Sequence, residues 1–366
     1  MSILDRLFPL NPKREMHVET IRGIACIALV SYHAVGSTPH NGMELAATDW
    51  LAILQQCFID MRMPLFSFVS GYVFVSIARP GRNWLQMLRV KARRLLLPMA
   101  AVGTLFWLLR TAAGYHEVPL YRIFFFPYAH FWFLQATFLL MAALLVLNAL
   151  TAGWRGALTP VQAARNAACL GLGGALLYIL SLNVGLSFFS TFQAIHLAPF
   201  FMTGHVLGLV GKPLFSKLAE RARYPAGIIP LLLLVLLGTW LAVAGVPLNR
   251  DLPHRSLSIF IGLGTALSLF VLRPRNRILA WIGDKSYAVY LFHVFFTSAT
   301  LIAWDALAKG SVDIHWAYLP TLFMGIFGPV LLQAAMLKSP WTGWLFLGLR
   351  FPAQLFGRQK TASRLD

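Results

Sequence analysis

The sequence predicts an all-α fold: a polytopic bundle of about ten membrane-crossing helices with both termini cytoplasmic. Three observations carry this expectation. Hydrophobic residues make up 58% of the 366 residues and charged residues only 12%, against about 25% charged in a soluble domain. Apolar runs such as "LLLLVLLGTWLAVAG" and "FLLMAALLVLNAL" do not alternate, so they read as helices rather than as strands of a membrane barrel. The basic residues, finally, gather in alternate loops.

In order along the chain, the spans are expected at roughly 20–38, 51–77, 95–112, 130–150, 166–183, 189–210, 225–244, 256–272, 278–304 and 316–337. One set of loops between them carries Arg79, Arg82, Arg89, Lys91, Arg93 and Arg94, then Arg155, Arg165, Lys212 and Lys217, then Arg273, Arg275 and Arg277. The other set has only Arg110, Arg122, Arg250, Arg255 and Lys309. Positive residues mark the cytoplasmic side, so the formal net charge of +18 is a topology signal and not the footprint of a nucleic-acid partner. No polar stretch is long enough to fold alone, and residues 1–366 read as one membrane domain. Within it, 1–19 is a cytoplasmic segment and 338–366 a tail, rich in Trp, Phe and basic residues, lying in the cytoplasmic interface. No repeat of fixed period is visible. Cys26, Cys57 and Cys169 fall inside spans without a CxxC pair and read as buried free thiols.

Ionisable groups inside a membrane are costly, so each is a candidate functional residue. Arg22 and His33 stand eleven positions apart on the first span. At about 100° per residue they share a face, about 16 Å apart along the axis. Arg22 then sits at the cytoplasmic mouth, where it serves either as an interfacial anchor or as a binding group, and His33 lies past mid-membrane. The second span adds Asp60 and Arg62, which project to different faces; Asp60 reaches a depth close to that of His33 and is a candidate to orient its imidazole. "RVKARRLLLP" puts Lys91, Arg93 and Arg94 at the start of the third span, either as anchors or as a phosphate clamp. His130 opens the fourth span and His196 lies in the outer half of the sixth. On the ninth, Ser286, Tyr290 and His293 form one stripe with Tyr287 beside it. His33, Asp60, His196 and His293 thus come to similar heights from four spans, which suggests a polar cavity opening outward above a basic mouth. No cluster has metal-ligand spacing.

The same residues carry a resemblance. "RGIACIALVSYH" (22–33), "MPLFSFVSGYVF" (63–74), "KARRLLLP" (91–98), "HFWFLQA" (130–136) and "IGDKSYAVYLFH" (282–293), in this order, resemble the acyltransferase-3 family of bacterial membrane acyltransferases. The resemblance implies a ten-helix inner-membrane domain that takes an acyl group, usually acetyl, from cytoplasmic acyl-CoA. It delivers that group to a hydroxyl of a cell-envelope glycan or lipid-linked sugar. His33 matches the family's essential histidine and Arg22 its paired arginine; Lys91 or Arg94 corresponds to the basic motif, and Tyr287 and His293 fall in the "SYxxYxxH" block. Arg62 departs from a frequent form with histidine before "MPLF". The SGNH-type hydrolase domain fused to some members is not in this sequence, so the chain either acts alone or hands over to a separate periplasmic partner.

Together these readings assign His33 as general base, or as an acyl carrier, with Asp60 orienting it. Arg22, Lys91, Arg93 and Arg94 hold the phosphates of acyl-CoA. Arg62, Tyr287, Tyr290, His293, His196 and His130 face the acceptor or the developing oxyanion, and Arg62 with Arg255 offers cations to a donor with an extra carboxylate, such as succinyl-CoA. The rival class is a proton-coupled transporter or flippase using the same intramembrane Arg, Asp and His residues; binding of acyl-CoA and release of free thiol separate the two.

Overall fold

Where no water reaches the backbone, each amide must bond within its own segment, and helices result. The computed structural model describes residues 8, 10, 12, 14–36, 42–75, 83–115, 117–155, 158–180, 185, 187–211, 220–245 and 252–351, and every regular element among them is helical. The helices are α1 (Met16–Val35), α2 (Trp50–Cys57), α3 (Ile59–Phe74), α4 (Trp84–Ala112) and the short α5 (Arg122–Phe125). They continue with α6 (Trp132–Arg155), α7 (Pro160–Ile179), α8 (Thr191–Val210), α9 (Glu220–Val243) and α10 (Leu252–Leu272). The last four are α11 (Arg277–Asp284), α12 (Ser286–Ala308), α13 (Tyr318–Met336) and α14 (Pro340–Leu347).

Eight of these stretches are long and apolar enough to cross a membrane: α1, α4, α6, α8, α9, α10, α12 and α13. The other expected spans are present in different form. The span expected at 51–77 is broken at Phe58, whose backbone (φ −108°, ψ 9°) ends α2 and starts α3, so neither piece is long enough alone. The break falls before Pro64, the residue that removes an amide from the helix, and it lets α2 lie against α9 while α3 packs on α8 and α10. The span expected at 166–183 is α7, which begins earlier because Thr159 and Gln162 cap each other reciprocally. The ninth expected span is likewise two helices, divided at Lys285.

Helix α1 is the central element, packed against α3, α11, α12 and α13. Two crossings around it depend on glycine. Where α1 meets α11, Gly23 lies on the carbonyl of Leu279 and Gly283 on that of Glu19; where α3 meets α8, Gly71 lies on Phe201 and Gly204 on Phe68. In lipid, with no hydrophobic drive between helices, such backbone-to-backbone approach supplies the contact. Gly204→Leu should force α3 and α8 apart and destabilise the fold by about 3 kcal/mol. Gly173→Leu, on open α7 surface with nothing within 4 Å, should leave thermal unfolding in nanodiscs unchanged; equal melting of the two variants would contradict the crossing's importance.

Large apolar side chains left exposed, among them Leu232, Leu233, Leu236 and Trp240 on α9, form the surface that lipid would cover. Cys26 and Cys57 are buried, but Cys169 is exposed on α7, against the expectation of three buried thiols, because it lies on the face of α7 turned away from α8. The tail begins with α14, whose following Gly348, in the left-handed region at φ 62°, rests on the backbone of Arg93 and Arg94. Most of the first fifteen residues, the basic loops at 76–82 and 212–219, and the tail after Phe351 lie outside the described residues.

Candidate active site

A cavity of about 1350 Å³ opens at the end of the bundle where α1 carries His33, and Tyr32, His33, Asp60, Arg62, His130, His196 and Tyr290 all lie on its wall. Elements distant in sequence supply them: α1 brings Tyr32 and His33, α3 brings Asp60 and Arg62, the turn before α6 brings His130, α8 brings His196 and α12 brings Tyr290. His130 does not sit on a helix, as the sequence suggested, but in the turn that Ala129 makes in the left-handed region at φ 43°.

Three imidazoles cluster here, His33 and His130 on the wall and His293 behind it. The His33 ring centroid is 4.8 Å from that of His293 and 6.0 Å from that of His130, and those two are 5.0 Å apart. His293 is fully buried behind His33. Its Nδ1 is 2.9 Å from the carbonyl oxygens of both Val289 and Tyr290; carbonyls only accept, so Nδ1 carries the proton and donates. His130 Nε2 faces the Leu291 carbonyl at 3.4 Å, and its own carbonyl accepts from the Tyr290 hydroxyl. Tyr290 thus pins the His130 turn and does not offer its hydroxyl freely to the cavity. Among the described residues no three His, Cys, Asp or Glu side chains converge as a metal site.

Asp60 does not orient His33. Its Oδ1 accepts from the Ser258 hydroxyl at 2.5 Å, and its Oδ2 has no hydrogen-bond partner. Asp60 and His33 do line the same cavity, but residue counting could not give the direction of Asp60 around the bundle axis, and α10 is the neighbour it meets. Arg62, two residues on, lays its guanidinium 3.5 Å over the Tyr32 ring, a cation–π contact next to His33. His196 stacks on Tyr178, ring centroids 4.3 Å apart, and Arg255 donates to the Tyr178 carbonyl at 2.9 Å. Arg62 and Arg255 therefore attach to different tyrosines and do not form a joint clamp.

At the cavity mouth Arg110 pairs with Glu117, whose other oxygen accepts from the Tyr128 hydroxyl at 2.9 Å. Burial, then the Glu117 bond, pushes the Tyr128 phenol up, so it remains a donor at physiological pH. Sequence reading named Arg110 only for topology and did not single out Glu117, Tyr128, Tyr32, Ser258 or Tyr178. The "SYH" preceding His33 was the available signal for Tyr32; the others needed the tertiary fold.

The opposite end carries a separate ionic group. Arg22 Nη1 lies 3.0 and 2.9 Å from the two oxygens of Glu19, one turn earlier on α1. Arg14 reaches the same Glu19 at 3.4 Å and Asp284 at 2.8 Å, and Lys285 also reaches Asp284 at 2.8 Å. Glu19 is buried, so Arg22 is a paired cation, not an open anchor. The spacing Glu19–Arg22 could have revealed this pair. Lys91 and Arg93 are half-buried on α4 and Arg94 is exposed; the Lys91 ammonium lies 5.2 Å from the Phe74 ring centroid. Tyr287 belongs at this end too. Its hydroxyl donates to the Arg94 carbonyl, so it supports the basic helix and does not face the cavity where an acceptor was expected. Being two residues into α12, it lies nearly two turns short of His293.

The structure thus defines a multi-helix membrane bundle with a half-buried histidine on a cavity wall and a group of basic side chains, partly paired with Glu19 and Asp284, at the other end of α1. The profile of the acyltransferase domain (acyltransferase-3) matches residues 17–348 of the chain, and the chain belongs to that family. It is thus a multi-pass membrane acyltransferase. No curated protein and no solved structure matched it.

Proposed function

We propose that the protein is an acyl-CoA-dependent O-acyltransferase of the bacterial inner membrane. It moves an acyl group, acetyl before succinyl, from cytoplasmic acyl-CoA to a hydroxyl of a cell-envelope glycan or a lipid-linked sugar. The observation that supports this reading most is the placement of His33 on the cavity wall, three turns from the cationic end on one face of the same helix. About 16 Å separates the two positions along α1, a span that the pantetheine arm of CoA can bridge while its phosphates stay among the basic side chains.

In this reading Arg22, Lys91, Arg93 and Arg94 take the phosphates, with Arg22 exchanging Glu19 for the ligand. His33 removes the proton from the acceptor hydroxyl as its oxygen attacks the thioester carbonyl. The carbon–sulfur bond then breaks, and the imidazolium of His33 returns the proton to the thiolate. Arg62 over Tyr32 supplies positive charge close to the carbonyl oxygen as it becomes an oxyanion. An acyl-histidine on His33 is the two-step variant of the same chemistry.

The experiment follows free-thiol release from acetyl-CoA and from succinyl-CoA by the purified protein in nanodiscs, with and without extracted envelope glycans. Release that depends on glycan supports the reading, and the preferred thioester names the donor. A folded protein that binds and cleaves neither thioester would overturn it in favour of a transport role for the cavity.

A further inference from the structure

Among the buried titratable groups packed behind the cavity wall, His293 has no task in the transfer step above. It is fully buried, and its Nδ1 is committed to the Val289 and Tyr290 carbonyls of its own helix. That commitment fixes one tautomer: Nε2 must carry a lone pair. Nε2 is buried and has no hydrogen-bond partner, an unusual state for an acceptor inside a protein. The nearest imidazole to it is that of His33, 4.8 Å away between centroids and tilted by 58°, with His130 at 5.0 Å. Histidine χ2 is a broad torsion, so the His33 ring is free to turn relative to His293 at this separation.

We propose that His293 is the positioning residue of His33, accepting a hydrogen bond from one ring nitrogen so that the other is held as the base toward the cavity. This rests on the acyl-transfer reading of His33. The neighbours are engaged elsewhere or lie farther off: Tyr32 on α1 is covered by Arg62 of α3, Asp60 accepts from Ser258 of α10, the Tyr290 hydroxyl is bonded to the His130 carbonyl, and the His130 ring, its Nε2 toward Leu291, is 6.0 Å from that of His33 against 4.8 Å for His293. In the step itself the acceptor's O–H proton passes to the free nitrogen of His33, whose other N–H stays with His293. That bond strengthens as His33 becomes an imidazolium. His293 therefore acts on proton placement without touching donor or acceptor.

Two variants of the full chain in nanodiscs test this. His293→Phe fills the space without an acceptor; His293→Gln offers its Oε1 in place of Nε2. The first readout is the rate at which diethyl pyrocarbonate modifies His33 as pH is varied, measured by mass spectrometry with no acyl donor present. The second is the pH profile of kcat for thiol release. His293→Phe should displace the His33 reactivity profile and lower kcat by about 10- to 100-fold with KM unchanged, while His293→Gln should keep the wild-type profile and stay within about 10-fold of wild-type kcat. An unchanged His33 profile in His293→Phe overturns the proposal, as does equal impairment of the two variants with the same profile. Because the modification readout needs no catalysis, a wild-type protein that transferred nothing would refute the acyl-transfer reading while this pairing was still decided.

Discussion

His33→Ala should lower thiol release from acyl-CoA by at least about 10³-fold while leaving the bundle folded. The argument is local. His33 is only half-buried on the cavity wall, and its ring packs on Tyr32, His130 and His293 without supplying a hydrogen bond that another element depends on. Truncation enlarges a space that is already open, so unfolding in nanodiscs should shift little. Loss of turnover with an unchanged melting profile assigns the effect to chemistry. Retention of more than about a tenth of the wild-type rate would remove His33 from the reaction and transfer attention to His293 and His130. His33→Gln, which can hydrogen-bond but cannot take a proton at neutral pH, should be as inactive as alanine.

Glu19→Gln should have the second large effect, this time on stability. Glu19 is a buried carboxylate between Arg14 and Arg22, itself packed where Gly283 of α11 crosses α1. Removing one partner of such a pair leaves a cation without compensation, and a loss of about 2–3 kcal/mol follows, less than for a fully enclosed pair because Arg14 reaches solvent. Thermal unfolding in nanodiscs reads the change. If CoA phosphates compete with Glu19 for Arg22, the ligand should also restore more stability to the variant than to wild type. A variant as stable as wild type would show that Arg22 reaches other partners without cost.

Much of the arrangement around these residues could be read in one dimension. Hydropathy marked the membrane helices because lipid admits no unsatisfied backbone. The eleven-residue spacing put Arg22 and His33 on one face because both sit on a continuous helix, α1. The stripe of Ser286, Tyr290 and His293 survived for the same reason, all three lying on α12 although the span expected around them breaks at Lys285. Where two helices had to meet, the reading weakened. Asp60 was assigned a depth near His33 but meets Ser258 instead, since depth follows from counting residues but azimuth follows from how α3 crosses α8 and α10. Tyr287 was grouped with Tyr290 and His293, yet it lies on the preceding turn and bonds to Arg94 of α4.

Read without coordinates, the chain already specified a helical membrane protein, its family, and the pair of positions, basic at one end and imidazole at the other, that organises α1. Helix packing was needed to show that His33 meets His293 and His130 instead of Asp60, that Arg62 covers Tyr32, and that the Glu19–Arg22 pair stands in a group with Arg14, Asp284 and Lys285. The physical reason is that hydropathy and helical phase are properties of a single segment. Partners across segments are set by crossings such as Gly23 on Leu279 and Gly71 on Phe201, where a missing side chain fixes how closely, and at what rotation, two helices approach.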